Sequence, residues 1–179
     1  MADPHHVAAL DAFDRGSVRT YRAGLTVAAV GLILSAAAEL GLFDLVTARW
    51  VVLVGAALSI ANLHLYVKRI RAVIVLSGWV GASLLLAPWP LPLVKLAGMG
   101  FVFVSLSGFA VKEQFCFRIP FLRAVPLLLA TALVPMRFGP PPVAAGLLGL
   151  AGLLYAILAV AKWRMPLHFD IGDKSRYEV

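Results

Sequence analysis

The segment from Val143 to Ala161 reads VAAGLLGLAGLLYAILAVA, 19 residues without a charged side chain. A helix rises 1.5 Å per residue, so about 20 apolar residues cross the roughly 30 Å hydrocarbon core of a bilayer. The run is continuous and lacks the alternation of apolar and polar residues that is typical of a strand lining a barrel. This segment therefore predicts a transmembrane helix.

Five further apolar runs precede this segment. The six predicted helices are residues 23–43, 50–67, 72–87, 93–111, 121–136 and 143–161. The third and fifth runs are short, and a re-entrant segment is the alternative for them. Hydrophobic residues make up 61% of the 179-residue chain and the mean hydropathy is +0.92, which excludes a water-soluble globular protein. We predict an all-α, polytopic integral membrane bundle of six transmembrane helices.

The basic residues are distributed unequally between the two sides that six crossings define. Of the 16 Lys and Arg residues, 13 lie near the termini or in the loops after the second and fourth helices. Only Arg49, Lys95 and Arg137 lie on the other side. Because Lys and Arg are retained in the cytoplasm, we expect both termini to be cytoplasmic.

The apolar runs divide the chain into three parts. Residues 1–22 form an N-terminal cytoplasmic segment whose apolar residues recur at helical spacing. This pattern indicates either a short amphipathic helix on the membrane surface or a frayed tail broken at Gly16. Residues 23–161 form the transmembrane domain, and residues 162–179 form a cytoplasmic tail.

The high isoelectric point, about 10.1, bears on the class of partner. The basic residues are dispersed over short loops and form no long basic tract, so no nucleic-acid partner is expected. Anionic lipid headgroups at the cytoplasmic face are the expected counter-charges. The chain has one cysteine, so it has no internal disulfide, and no metal site is predicted.

Polar residues cluster at the end of the second predicted helix. If the helix continues, Asn62 and Tyr66 lie one turn apart, as do His64 and Lys68. Polar groups at the edge of lipid are costly, so they mark candidate binding sites. One interpretation is a site for a headgroup, small anion or cofactor, with His64 as proton carrier or ligand. The other is an interfacial anchor that joins helices.

A second polar string, with interleaved aromatic residues, ends the fourth predicted helix. Lys112, Glu113, Cys116 and Arg118 are suited to holding a polar ligand at the membrane surface. Glu113 could pair with Lys112, Arg118 or His64, and a nearby cation could lower the pKa of Cys116. A packed, lipid-facing or palmitoylated thiol is the alternative.

The C-terminal tail carries Asp170, Asp173 and Lys174 around a glycine. Two carboxylates supply fewer oxygens than the six or more that calcium prefers. The simpler hypothesis is that the tail docks on the basic loops and closes the cytoplasmic face. The expected partners of the two Asp residues are Arg71, Lys112 or Arg118.

Glu39 is the one acidic residue well inside an apolar run. It could pair with Arg49 or Arg137, or it could mark a path for protons or cations. It is therefore the candidate transport residue.

Four strings in the sequence carry a resemblance to a known family. They are Asp14-Arg15 with Tyr21-Arg22-Ala23-Gly24-Leu25, His64-Leu65-Tyr66 with Lys68, Lys112-Glu113-Gln114-Phe115-Cys116-Phe117, and Asp170-Ile171-Gly172-Asp173-Lys174-Ser175. On these strings the chain resembles the DUF2301 family of uncharacterised bacterial and cyanobacterial integral membrane proteins. The resemblance implies a polytopic fold in the bacterial inner membrane. It implies no established activity, so it assigns no catalytic residue.

The residues favour a small helical bundle that binds a lipid, an unidentified cofactor or a membrane partner at a polar cytoplasmic-side site, in an assembly or scaffolding role. The partner is another membrane protein or a second copy of the chain. A compact transporter or channel is the first alternative. A membrane-embedded enzyme that uses Cys116, His64 and Glu113 is the second, although no further catalytic motif supports it.

Overall fold

The computed structural model describes residues 10–88, 91–171 and 177, and this part of the chain is helical without strands. The helices are α1 (Ala12–Glu39), α2 (Leu45–Ala61), α3 (Lys68–Leu86), α4 (Pro92–Gln114), α5 (Val125–Ala132), α6 (Pro135–Phe138), α7 (Pro141–Arg164) and α8 (His168–Ile171), with a 3-10 turn at Leu122–Ala124. The prediction of an all-α fold is confirmed.

Four of these helices, α1, α3, α4 and α7, are long and apolar enough to cross a membrane, and α2 is a shorter apolar helix. The outward face of α7 is apolar, because Leu153, Ile157 and Val160 are each more than half exposed. Large apolar side chains exposed along a helix are typical of contact with lipid tails.

Helix α1 begins well before the apolar run that predicted it. Asp11 caps the helix, since its side chain accepts a hydrogen bond of 2.7 Å from the backbone N–H of Asp14 and the Asp14 carboxylate accepts one from the backbone N–H of Asp11. Val18 and Tyr21 are buried against the bundle. Residues 12–22 therefore continue the first long helix, which is unbroken at Gly16. Residues 1–9 lie outside the described part of the chain.

The fifth predicted helix, residues 121–136, is interrupted. Helix α5 has 8 residues, about 12 Å, which is too short to cross a bilayer. Pro135 has no backbone N–H to donate to the carbonyl of Thr131, and its ring crowds that turn. The helix therefore ends at Ala132, and α6 begins at the proline.

The bundle is held together by close approaches of helix backbones. Helix α1 packs between α2 and α7, while α3 packs on α4. A Cβ on Gly55 of α2 would lie 2.7 Å from the Cα of Ala28, and a Cβ on Gly81 of α3 would lie 2.7 Å from the carbonyl oxygen of Gly98. Glycine is needed at both positions because a neighbouring backbone cannot move aside. This is the small-residue packing typical of membrane helices.

Short connections make neighbouring helices antiparallel and so define two ends of the bundle. At the proximal end α1 begins and α2, α4 and α7 end. At the distal end α1 ends and α2, α4 and α7 begin. Helix α8 contacts α1 at the proximal end.

Candidate functional site: a buried ionic cluster at the proximal end

Arg22 binds the C-terminal segment to α1. Its Nε donates to Asp170 Oδ2 over 2.8 Å, and a second guanidinium nitrogen forms an ion pair with the same oxygen. The guanidinium also donates to the backbone carbonyls of Met165 (2.7 Å) and Pro166 (3.1 Å). Lys162 of α7 pairs with the other oxygen of Asp170. A residue of α1 thus ties down the chain immediately after α7.

Glu113, at the end of α4, is the second buried carboxylate. Its Oε1 accepts hydrogen bonds of 2.8 Å from the hydroxyl of Tyr21 and from Lys112 Nζ. Lys162 Nζ lies 3.0 Å from Oε2, although that oxygen accepts no hydrogen bond of good geometry. Lys162 therefore bridges Glu113 and Asp170, and the two carboxylates belong to one network.

We call Tyr21, Arg22, Lys112, Glu113, Lys162 and Asp170 the proximal cluster. It has three cations and two carboxylates, an excess of one positive charge. The side chains of the four ionic partners other than Lys112 are at most 2% exposed, whereas that of Lys112 is 14% exposed. Lys112 is therefore the cation at the rim.

Aromatic rings surround the two lysines. Lys112 Nζ lies 4.6 Å from the centroid of the Tyr21 ring, and Lys162 Nζ lies 5.6 Å from the same ring and 5.7 Å from that of Phe117. Cation–π contacts at this range stabilise a cation that has left water. They allow the excess charge to persist in a buried site, but they do not neutralise it.

The polar strip expected on the second helix is not formed. Helix α2 ends at Ala61, and the Asn62 side chain donates 2.9 Å to the carbonyl of Leu58 at that end. Asn62 and Tyr66 therefore share no helix face. The Tyr66 ring contacts the ring of Tyr177, and Lys68 is the exposed first residue of α3.

His64 lies on the turn between α2 and α3, close enough to the proximal cluster to sense its charges. Partial burial and the positive charge of Lys112 lower the pKa of the His64 imidazole, and the negative charge of Asp170 partly opposes them. His64 is therefore predominantly neutral at pH 7.

Cys116 follows α4 and is an exposed residue. Partial burial of its sulfur and the negative charge of Glu113 raise the pKa of the Cys116 thiol, while Lys112 and Lys162 only partly offset them. These opposing effects favour the neutral thiol over a thiol activated by a nearby cation. Arg118, two residues on, is exposed.

Several partners differ from those predicted. Glu113 does pair with Lys112, but Asp170 pairs with Arg22 and Lys162 and not with the loop residues expected for it. Asp173 and Lys174 lie outside the described residues. Tyr21, Arg22 and Lys162 were not among the predicted site residues. The string Tyr21-Arg22 was the available signal, because it carries part of the family resemblance.

Glu39 is the last residue of α1, at the distal end and away from the proximal cluster. It attracts Arg49 electrostatically, but no ion pair within 4.0 Å joins these two described residues. This position is at the end of a membrane helix, where a carboxylate is nearer to water than at the midplane.

Comparison with known proteins places the chain among membrane proteins. Residues 58–179 match the model of DUF2301, described as an uncharacterized integral membrane protein family. An uncharacterized protein of Haemophilus influenzae is 32% identical over 188 aligned positions that cover the whole of both chains. No solved structure matches. The chain belongs to the DUF2301 family of integral membrane proteins.

Proposed function

We propose that this DUF2301 protein is a multi-pass protein of the bacterial inner membrane with six crossings and both termini in the cytoplasm. Of the six proposed crossings, the fifth has the least support from helix length. The backbone dihedral angles between α5 and α6 favour it. Leu133 (φ −59°, ψ −33°) and Val134 (φ −68°, ψ −56°) keep helical dihedrals between α5 and α6. The 3-10 turn, α5 and α6 follow one another over residues 122–138, and together they would cover about 25 Å at 1.5 Å per residue, close to the thickness of the hydrocarbon core.

The proposed organisation follows from this count. The transmembrane domain corresponds to residues 23–161, preceded by a cytoplasmic N-terminal segment at 1–22 and followed by a cytoplasmic tail at 162–179. The distribution of Lys and Arg supports the orientation, because 11 of the 14 in the described part of the chain lie at the proximal end.

Thiol labelling tests the orientation. In intact cells, an impermeant maleimide should leave Cys116 unmodified. In inverted membrane vesicles it should react, slowly near neutral pH and about tenfold faster per pH unit, because the thiolate is the nucleophile and the Cys116 pKa is raised.

The matched control moves the only cysteine to the distal end. Leu42 lies in the loop between α1 and α2 and is 76% exposed. The variant Cys116→Ser/Leu42→Cys should be labelled in intact cells. If the maleimide labels Cys116 in intact cells but does not label this variant, the orientation is opposite to the one proposed.

The proposed activity is binding of an anionic lipid headgroup at the proximal cluster, in a structural or assembly role in the membrane. The observation that carries it is the excess cation in a site whose other ionic groups are buried. A net positive charge in a low-dielectric site is unfavourable, so an added anion gains both attraction and neutralisation.

Lys112 is the residue through which such an anion would reach the cluster. It is the cation at the rim, and it lies at the end of α4, where the helix meets the headgroup region in the proposed topology. Neutral His64 adds no competing positive charge beside it and can donate or accept a hydrogen bond. The same chemistry would accept an acidic residue of a partner protein, which is an outcome that the following test separates.

Protection of Cys116 tests this site specifically, because the thiol senses the charges of Lys112 and Glu113. Phosphatidylglycerol added to the purified protein in neutral detergent should slow alkylation of Cys116 by N-ethylmaleimide several-fold, whereas phosphatidylcholine should not. Lys112→Gln should remove this protection. Arg123→Gln, which deletes an exposed cation at the same end, should retain it.

If phosphatidylglycerol gives no protection, or protects Lys112→Gln as well as the parent protein, the headgroup proposal is wrong. Protection by a co-purified protein in place of lipid would identify a protein partner instead.

A further inference from the structure

The three described basic residues of the distal end line a single cavity of about 460 Å³. Arg49 reaches it from α2, Lys95 from α4 and Arg137 from α6, and the methionines Met99 and Met136 form part of its wall. These three cations are distant in sequence, and no other Lys or Arg among the described residues lies at this end. Their convergence on one cavity is a feature that the family match does not assign.

Lys95 is held in place by the end of α3. Its Nζ donates to the carbonyls of Leu85 (2.7 Å) and Ala87 (2.6 Å). These carbonyls end α3, where the helix dipole is negative, so they orient the ammonium group and offset part of its charge. Lys95 is therefore a fixed positive group in the cavity wall.

Arg49 and Arg137 have donor capacity left. The Nε of Arg49 is buried without a hydrogen-bond partner, and Arg137 is exposed, with its guanidinium 5.0 Å from the Phe138 ring. Among the described residues, Glu39 attracts Arg49 from beyond ion-pair distance, and the exposed carboxylate of Asp44 caps α2 at Thr47. The cavity thus has an excess of positive charge and an unsatisfied guanidinium N–H, which suits an anion with several acceptor oxygens.

A second, smaller cavity of about 250 Å³ adjoins the first and shares Arg49 and Lys95 with it. The rest of its wall is apolar: Val46, Trp50, Leu53, Leu85 and Leu86. Val46 is 60% exposed and Leu86 is 56% exposed, so this groove reaches the surface of the bundle.

We propose that the distal cavity is a binding site for an acidic phospholipid, with its phosphate between Arg49 and Arg137 and an acyl chain in the adjoining groove. The cationic cavity alone would suit a free phosphate, but the apolar groove that shares Arg49 and Lys95 with it indicates an amphiphile. In the proposed orientation this lipid comes from the leaflet opposite to the one that supplies the proximal cluster. The two sites are therefore independent.

Native mass spectrometry of the purified protein with added phosphatidylglycerol tests the proposal. Arg49→Gln/Arg137→Gln should bind this lipid about tenfold more weakly for each guanidinium removed, because each loses a charge-assisted hydrogen bond. The matched control, Arg19→Gln/Arg123→Gln, removes two exposed cations at the proximal end and should not change this affinity. Lys112→Gln should leave lipid binding at the distal cavity unchanged. A failure of the distal proposal can therefore be distinguished from a failure of the proximal proposal.

The source of the anion and the role of the groove are tested with two further measurements. Inorganic phosphate at millimolar concentration should compete poorly with phosphatidylglycerol, and Trp50→Ala should weaken binding of the lipid. The single variant Arg137→Gln, at an exposed position, keeps the test valid if the double variant does not fold. Equal binding by parent and Arg137→Gln, or tight binding of free phosphate together with none of the lipid, would overturn the proposal.

Discussion

Asp170→Asn should lower the free energy of unfolding by roughly 3–5 kcal/mol, the cost of removing one partner from a buried ion pair. The Asp170 carboxylate is shared by Arg22 and Lys162, all with side chains at most 2% exposed. Its loss leaves two cations facing a neutral amide in a site that water does not reach. The thermal midpoint in detergent should fall by on the order of 10 °C.

The same variant should free the chain after α7. Arg22 donates to the carbonyls of Met165 and Pro166 and also to Asp170, so we expect loss of the Asp170 carboxylate to loosen these contacts. Trypsin should therefore cut after the exposed Arg164 faster in Asp170→Asn than in the parent protein. Unchanged proteolysis and an unchanged midpoint would show that the proximal cluster does not hold this segment.

Two variants serve as controls for Asp170→Asn. Asp44→Asn makes the same chemical change at an exposed helix cap, where asparagine caps as well as aspartate, so it should be nearly neutral. Asp170→Asn/Lys162→Met removes one cation along with the carboxylate and returns the excess charge to that of the parent protein. It should regain part of the lost stability, as coupled residues do in a double-mutant cycle.

Glu113→Gln should be destabilising to a similar extent, roughly 3–5 kcal/mol. The Glu113 side chain is fully buried. It accepts a hydrogen bond from Tyr21 and forms ion pairs with Lys112 and Lys162. Glutamine preserves the shape but offers one oxygen and no charge to these three donors. The free energy of unfolding in a detergent titration measures the loss.

Glu39, which also lies at the end of a long helix, provides a control for Glu113→Gln. It separates loss of the buried pairing from the general effect of removing a negative charge. Glu39→Gln makes the same change at the partly exposed end of α1, where no described cation lies within ion-pair distance. It should cost far less than Glu113→Gln. If the two variants lose equal stability, the buried pairing of Glu113 is not what stabilises the proximal end.

Part of the proximal cluster was predictable from local sequence. Lys112 and Glu113 stand out because charged residues adjoin a long apolar run, and Asp170 stands out in a tail that carries the family resemblance. Arg22 and Lys162 were counted only as residues that set the orientation. Each lies at the end of an apolar run. This position in the sequence does not predict whether a long side chain points outward to headgroups or inward to a partner.

The helix boundaries show the same limit. Hydropathy predicted that the second helix continues to residue 67, but the Asn62 side chain bonds to the turn before it and α2 ends at Ala61. Hydropathy also predicted a regular fifth helix, which Pro135 interrupts. Apolar character reports where a segment is stable in lipid, while the ends of helices depend on specific hydrogen bonds at one or two residues.

The sequence by itself determined the class of this protein, the position of its apolar helices and the unequal distribution of its basic residues. These are sums over neighbouring residues, because transfer of a helix into lipid depends on its own composition. Only the tertiary structure decided that Arg22 meets Asp170, 148 residues away, and that Arg49, Lys95 and Arg137 share one cavity. Such pairings depend on how helices rotate and pack against each other, and the packing is set by close contacts such as Gly55 on Ala28 that no single segment contains.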